Sequence, residues 1–196
     1  GTGSIVLDEL NAITLSDLDT TDGSITVDAA GDVVSADVDA SDAIAITASS
    51  GDITLGGLTA GGVLGITATT GSINDASDDA TTDLTAGGLI TLSAQDEVGG
   101  IPSATTTDTA GSIELAAGST LNASSTTAGN LVLAGLGALT LEDLDTVDGS
   151  IAVTAAGALT ATAVDAAGST SDGVSLSTTT GGVSATSITC RLYTSD

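Results

Sequence analysis

Residues 12–31, AITLSDLDTTDGSITVDAAG, return as residues 138–157, ALTLEDLDTVDGSIAVTAAG. Leu15, Asp17, Leu18, Asp19, Thr20, Asp22, Gly23, Ser24, Ile25, Val27 and Gly31 all recur at an offset of 126, and the alignment runs without gaps from residues 3–40 to residues 129–166. A shorter period lies inside this long one. Gly-Ser-Ile opens at Gly3, Gly23, Gly71, Gly111 and Gly149, with close variants at Gly51 (GDITL) and Gly129 (GNLVL). Cuts at Gly3, Gly23, Ala43, Val63, Leu89, Gly111, Gly129, Gly149 and Gly173 give segments of 20, 20, 20, 26, 22, 18, 20 and 24 residues and a final partial one. A period near 20 without a helical pattern or a leucine-rich-repeat asparagine is the mark of stacked β coils.

The local pattern agrees. Ile25-x-Val27, Ile44-x-Ile46, Ile53-x-Leu55, Ile113-x-Leu115, Ile151-x-Val153 and Val174-x-Leu176 alternate strictly, which reads as strand. Between them AAGD, ASSGD and ATTGS supply corner residues. Gly and Thr interrupt every window that would otherwise support a helix. One coil cannot bury its own apolar side. Stacked at the roughly 4.8 Å strand spacing, about nine coils make a rod of roughly 40 Å with Ile over Ile and Leu over Leu.

The expected fold is therefore all-β: a right-handed parallel β-helix (β-solenoid) of about nine coils of about 20 residues, the hand following from the rule for parallel crossovers. Its predicted interior is Ile5, Leu7, Ile13, Leu15, Leu18, Ile25, Val27, Ile44, Ile46, Ile53, Leu55, Ile66, Leu92, Ile113, Leu115, Leu133, Leu141, Ile151, Val153 and Leu176, with Ala29, Ala48, Ala68 and Ala94 where it narrows. Residues 63–88, which contain NDASDDATTD, are expected to bulge outward as a loop. Residues 1–189 are expected to form one solenoid segment of a longer chain. Residues 190–196 read as an irregular, non-native tail, because the only Cys, Arg and Tyr sit together there as Cys190, Arg191 and Tyr193.

Composition narrows the functions. The 196 residues hold 26 Asp and Glu against one Lys or Arg, with no His, for a formal net charge of -25. Such charge with few aromatics warns of disorder, but 41% aliphatic and other hydrophobic residues provide enough surface to drive folding. Phosphate neutralisation and base stacking have no residues to carry them, which excludes nucleic acid as a partner. No apolar run reaches the length of a membrane span, and no cationic stem precedes one, so membrane insertion is not expected. Catalysis lacks a base or an activated nucleophile, so the chain is read as no enzyme. The one chemistry left open is a carboxylate pair of the glycosidase kind, to be sought at Asp78, Asp79 or Asp83.

Metal binding is the livelier question. Asp17, Asp19 and Asp22, with their copies Asp143, Asp145 and Asp148, set three oxygen donors beside a glycine turn and are weak Ca²⁺ candidates. Their spacing departs from an EF-hand, and the GGxGxD nonapeptide of calcium-binding β-rolls is missing. Corner Asp residues that cap backbone N–H groups are the simpler account, and no cofactor is expected. Threonine runs such as ITATTG from Ile66 and LSTTTGG from Leu176 raise ice binding, yet outward Thr does not recur at one phase.

The segments GSITVDAAGDV, SGDITLGGLTAGG and GSIAVTAAGALTATAV resemble the β-helical repeat regions of large secreted bacterial exoproteins and adhesins of the filamentous-haemagglutinin type. The resemblance covers about residues 3–189 and is one of repeat style. It implies a secreted or cell-surface location and a non-catalytic shaft or interaction surface that acts in adhesion toward a host or surface ligand, glycan or protein. The alternatives are a Ca²⁺-responsive acidic surface module, a carbohydrate-active β-helix enzyme or an ice-binding solenoid. Open strand edges at both ends predict end-to-end self-association of such a piece.

Overall fold

A computed structural model describes residues 3–77, 80–100, 111–168 and 172–192. The first coil lays down β1 (Ile5–Glu9), β2 (Ile13–Leu15) and β3 (Leu18–Thr20). The second lays down β4 (Ile25–Ala29), β5 (Val33–Ser35) and β6 (Asp37–Ala40), and the third β7 (Ile44–Ala48), β8 (Ile53–Leu55) and β9 (Gly57–Ala60). β10 (Leu64–Ala68), β11 (Ile73–Asp75) and β12 (Leu84–Ala86) follow. Then come β13 (Leu89–Ala94), β14 (Ile113–Leu115), β15 (Thr120–Ser125), β16 (Leu131–Gly135) and β17 (Leu139–Thr146). β18 (Ile151–Ala155), β19 (Leu159–Gly168), β20 (Val174–Thr178) and β21 (Val183–Leu192) complete the chain, and no helix occurs among the described residues.

Among the described residues every strand pairing is parallel. The pairings build a nine-stranded sheet (β1-β4-β7-β10-β13-β15-β17-β19-β21), a four-stranded sheet (β2-β5-β8-β11) and an eight-stranded sheet (β3-β6-β9-β12-β14-β16-β18-β20). The molecule is a parallel β-solenoid of about nine turns. Its interior consists of columns in which each side chain lies over its counterpart one coil earlier. One column runs Ile5, Ile25, Ile44, Leu64, Ile90, Leu121, Leu141. The next runs Leu7, Val27, Ile46, Ile66, Leu92, Ala123, Leu144, Val164. A third holds Ala29, Ala48, Ala68 and Ala94, the narrow edge of the core. Every aliphatic residue expected inside is buried there, except Ile5, Leu7, Ile13, Leu18 and Leu176, which are partly buried against the same cluster near the ends. β1 and β21 each pair on one side only, and Ile188 of β21 is 50% exposed.

The Gly-Ser-Ile phrase is a corner, and its chemistry is visible. Gly23 has φ +131°, and a Cβ there would stand 2.7 Å from the carbonyl carbon of Gly3 in the coil below. Only glycine permits that approach. Residues that follow corner glycines accept from the backbone of the next coil. The Ser24 N–H donates to Ser4 Oγ (3.2 Å), Ala43 N–H to Ser24 Oγ (3.3 Å), Asp52 N–H to Asp32 Oδ1 (3.0 Å), Ser72 N–H to Asp52 Oδ1 (2.8 Å) and Ser150 N–H to Asn130 Oδ1 (2.9 Å). These bonds satisfy donors that the sheets leave free at the bends.

One feature here departs from the sequence expectation, and a second is visible only in the fold. The coil boundary placed at Gly111 is corrected: Leu89 stacks on Thr120, 31 residues on, and GSIEL forms β14 on another face of the same turn. The 126-residue copies also lie on different faces. Ile25 belongs to the nine-stranded sheet, but its counterpart Ile151 lies in the eight-stranded one and stacks back through Leu131, Val98, Ile73, Ile53 and Val33 to Ile13. Six coils along that column take 138 residues (151 − 13), 12 more than the repeat, which is about half a turn. The excess falls in two steps of the column, 25 residues from Ile73 to Val98 and 33 from Val98 to Leu131, against 20 in each of the others.

Composition changes abruptly at residue 190, yet β21 continues through Cys190 to Leu192, with Ala166 in register with Cys190 and Ala167 with Arg191. Backbone pairing does not depend on those side chains, and residues 193–196 lie outside the described residues.

Candidate functional site

Asp17, Asp19 and Asp22 are exposed. Asp19 lies in register with Asp39, and loss of hydration together with the charges of Asp17, Asp39 and Asp37 raises its carboxyl above the ordinary value. In the second copy, Asp143 is exposed, while Asp145 and Asp148 line an open groove of about 770 Å³ with Thr127, Thr146, Val147, Asp165, Ala167 and Gly168. Neither set brings three carboxylates together. Asp78 and Asp79 lie outside the described residues.

Among the described residues, one trio of acids does converge: Asp75, Asp83 and Glu114, with a carboxylate oxygen from each lying within 4.8 Å of the others. Topology makes the meeting. The expectation that residues 63–88 bulge outward as a loop is corrected: they contribute β10, β11 and β12, with Leu64, Ile66, Ile73 and Leu84 in the core, and the interruption is confined to the stretch between Asp75, where β11 ends, and Asp83, just before β12. In the first three coils one or two residues span this bend, as Ala36 does between β5 and β6. On the next coil, Leu115 of β14 stacks on Leu84, which brings Glu114 over Asp83. The Asp83 N–H donates to the Glu114 carbonyl (3.0 Å), and the Glu114 N–H donates to Asp83 Oδ2 (2.8 Å).

Glu114 is wholly buried and Asp83 is 3% exposed. Ser112 Oγ donates to Glu114 Oε1 at 2.5 Å, whereas Glu114 Oε2 is enclosed with no hydrogen-bond partner. Burial pushes the Glu114 carboxyl from 4.5 up to about 8; the Ser112 hydrogen bond opposes this, and Asp83 and Asp75 reinforce it. An enclosed carboxyl lacking a compensating charge favours its neutral form. Asp83 and Glu114 do form a pair of neighbouring carboxyls of the kind sought at Asp83, but a polysaccharide has no access to groups this deeply covered.

Glu114 and Asp75 carried a signal in the sequence that alternation alone passes over. At the position after Ile (or Leu131), the Gly-Ser-Ile copies and variants have Val6, Thr26, Thr54, Asn74, Glu114, Val132 and Ala152, so Glu114 is the single charged one. At the next, inward position they have Leu7, Val27, Leu55, Asp75, Leu115, Leu133 and Val153, so Asp75 is the single polar one. The two exceptions to the motif meet in space.

No protein family, curated protein or solved structure matches this sequence. The chain's class, that of parallel β-solenoid repeat proteins, rests on its architecture alone.

Proposed function

We propose that the chain is a non-catalytic shaft and interaction surface of a secreted or cell-surface bacterial exoprotein of the adhesin kind. One observation carries this reading: a stack of aliphatic columns inside an exterior whose charge is almost purely anionic, in a chain of 26 acids and one base. Such a rod projects whatever lies beyond it, stays soluble by self-repulsion and takes stiffness from backbone bonds directed along its axis. Resemblance of the repeat style to filamentous-haemagglutinin-type exoproteins supports the location. The buried Asp83–Glu114 pair and the absence of any His weigh against turnover. The test is to array host glycans and matrix proteins against the purified chain, alongside a polysaccharide hydrolysis panel. Binding without turnover, or inertness in both, fits a shaft. Release of reducing sugar would overturn the reading.

A further inference from the structure

We propose that Asp75, Asp83 and Glu114 bind one Ca²⁺-type cation between the end of β11 and the start of β12. This site is separate from the exposed Asp17 and Asp143 clusters. Its first support is geometric. Two oxygens on opposite sides of a Ca²⁺ ion, each at 2.3–2.6 Å, stand about 4.6–5.2 Å apart. Carboxylate oxygens within 4.8 Å of one another therefore fit around one such ion. The donor set is oxygen only, which suits a hard cation and no thiophilic one.

Its second support is the enclosed Glu114 Oε2, which receives no hydrogen bond from a donor among the described residues. A polar oxygen in that state costs free energy unless something coordinates it. The chain has no Lys or His, and its single Arg belongs to β21. A metal counter-charge for the ionised trio would therefore come from solution, in place of the proton that the empty site retains. Motif breaking is the third support, because the two residues that depart from the repeat are the two the fold brings to Asp83. Functional sites are where local rules give way. Bound there, the cation ties the end of β11 and the start of β12 to the following coil, and so clamps the solenoid at an interrupted turn.

The experiment titrates CaCl₂ into the chelator-stripped full chain by calorimetry. It is run in about 0.15 M NaCl, where the Debye length of about 8 Å screens the acidic surface. One Ca²⁺ per chain is expected, with a raised melting temperature and much weaker binding of Mg²⁺, which retains its waters and demands near-octahedral geometry. Glu114→Gln should weaken Ca²⁺ at least tenfold, whereas Asp17→Asn should leave the site unchanged. If Glu114→Gln does not fold, the half-buried Asp75→Asn carries the same expectation. Absence of a stoichiometric site would overturn the proposal and leave Asp83 and Glu114 as a pair sharing a proton. Retention of the site in both variants, or Mg²⁺ binding as tightly as Ca²⁺, would overturn it as well.

Discussion

Glu114 shows how one residue departs from the pattern around it. Ile113 and Leu115 point into the core, so alternation assigns Glu114 to the outer side, where a carboxylate is normally hydrated. The loop rejoining at Asp83 removes that water. Its raised carboxyl carries a consequence for pH. The folded state holds the proton more tightly than the unfolded chain, so this stability is fully present below about 4.5 and is lost as pH rises through about 8. With chelator present, the wild type should melt at a higher temperature at pH 5 than at pH 8. Glu114→Gln should narrow that gap by several degrees, since glutamine does not titrate. Scanning calorimetry of both proteins at the two pH values checks this; an unchanged gap rejects the assignment to Glu114.

An element here is stable only through its neighbours. Strands of three to five residues such as β2 and β4 bury nothing alone, and each becomes a core element when flanked above and below. Ile151 is fully buried, stacked between Leu131 and Val174. Ile151→Asp would place an unpaired charge in that column, which should cost about 4 kcal/mol or more. Far-UV dichroism during heating should show loss of cooperative melting, and a native-like transition would contradict the stacked core. The corner phrase was readable in advance because its logic is local: glycine for close approach, then Ser, Asp or Asn to accept one N–H. Coil boundaries after Leu89 were not, because GSIEL has the local form of a coil start while its partner, Leu84, is defined only by the preceding loop.

For the molecule as a whole, charge repulsion works against the compact rod. Twenty-six acids face one base, and register sets several carboxylates directly over one another, Asp8 on Asp28 and Asp19 on Asp39 among them. Like charges opposed across paired strands destabilise the pairing. Raising NaCl from about 0.01 M to about 0.15 M cuts the Debye length from about 30 Å to about 8 Å. The melting temperature should rise by several degrees over that range, in Glu114→Gln as in the wild type, because the effect belongs to the surface. A flat dependence on salt would show that the carboxylates are not repelling.

The sequence by itself determined the parallel solenoid, its turn length and its interior, because period and alternation are properties of neighbouring residues that every coil repeats. It also determined the acidic exterior. Only the tertiary structure decided that the two long copies occupy different faces, since their phase depends on how many residues the two longer turns consume. The same holds for the carboxylate trio: Asp75, Asp83 and Glu114 are separated in sequence, and they meet because Leu84 stacks under Leu115 of the coil that follows.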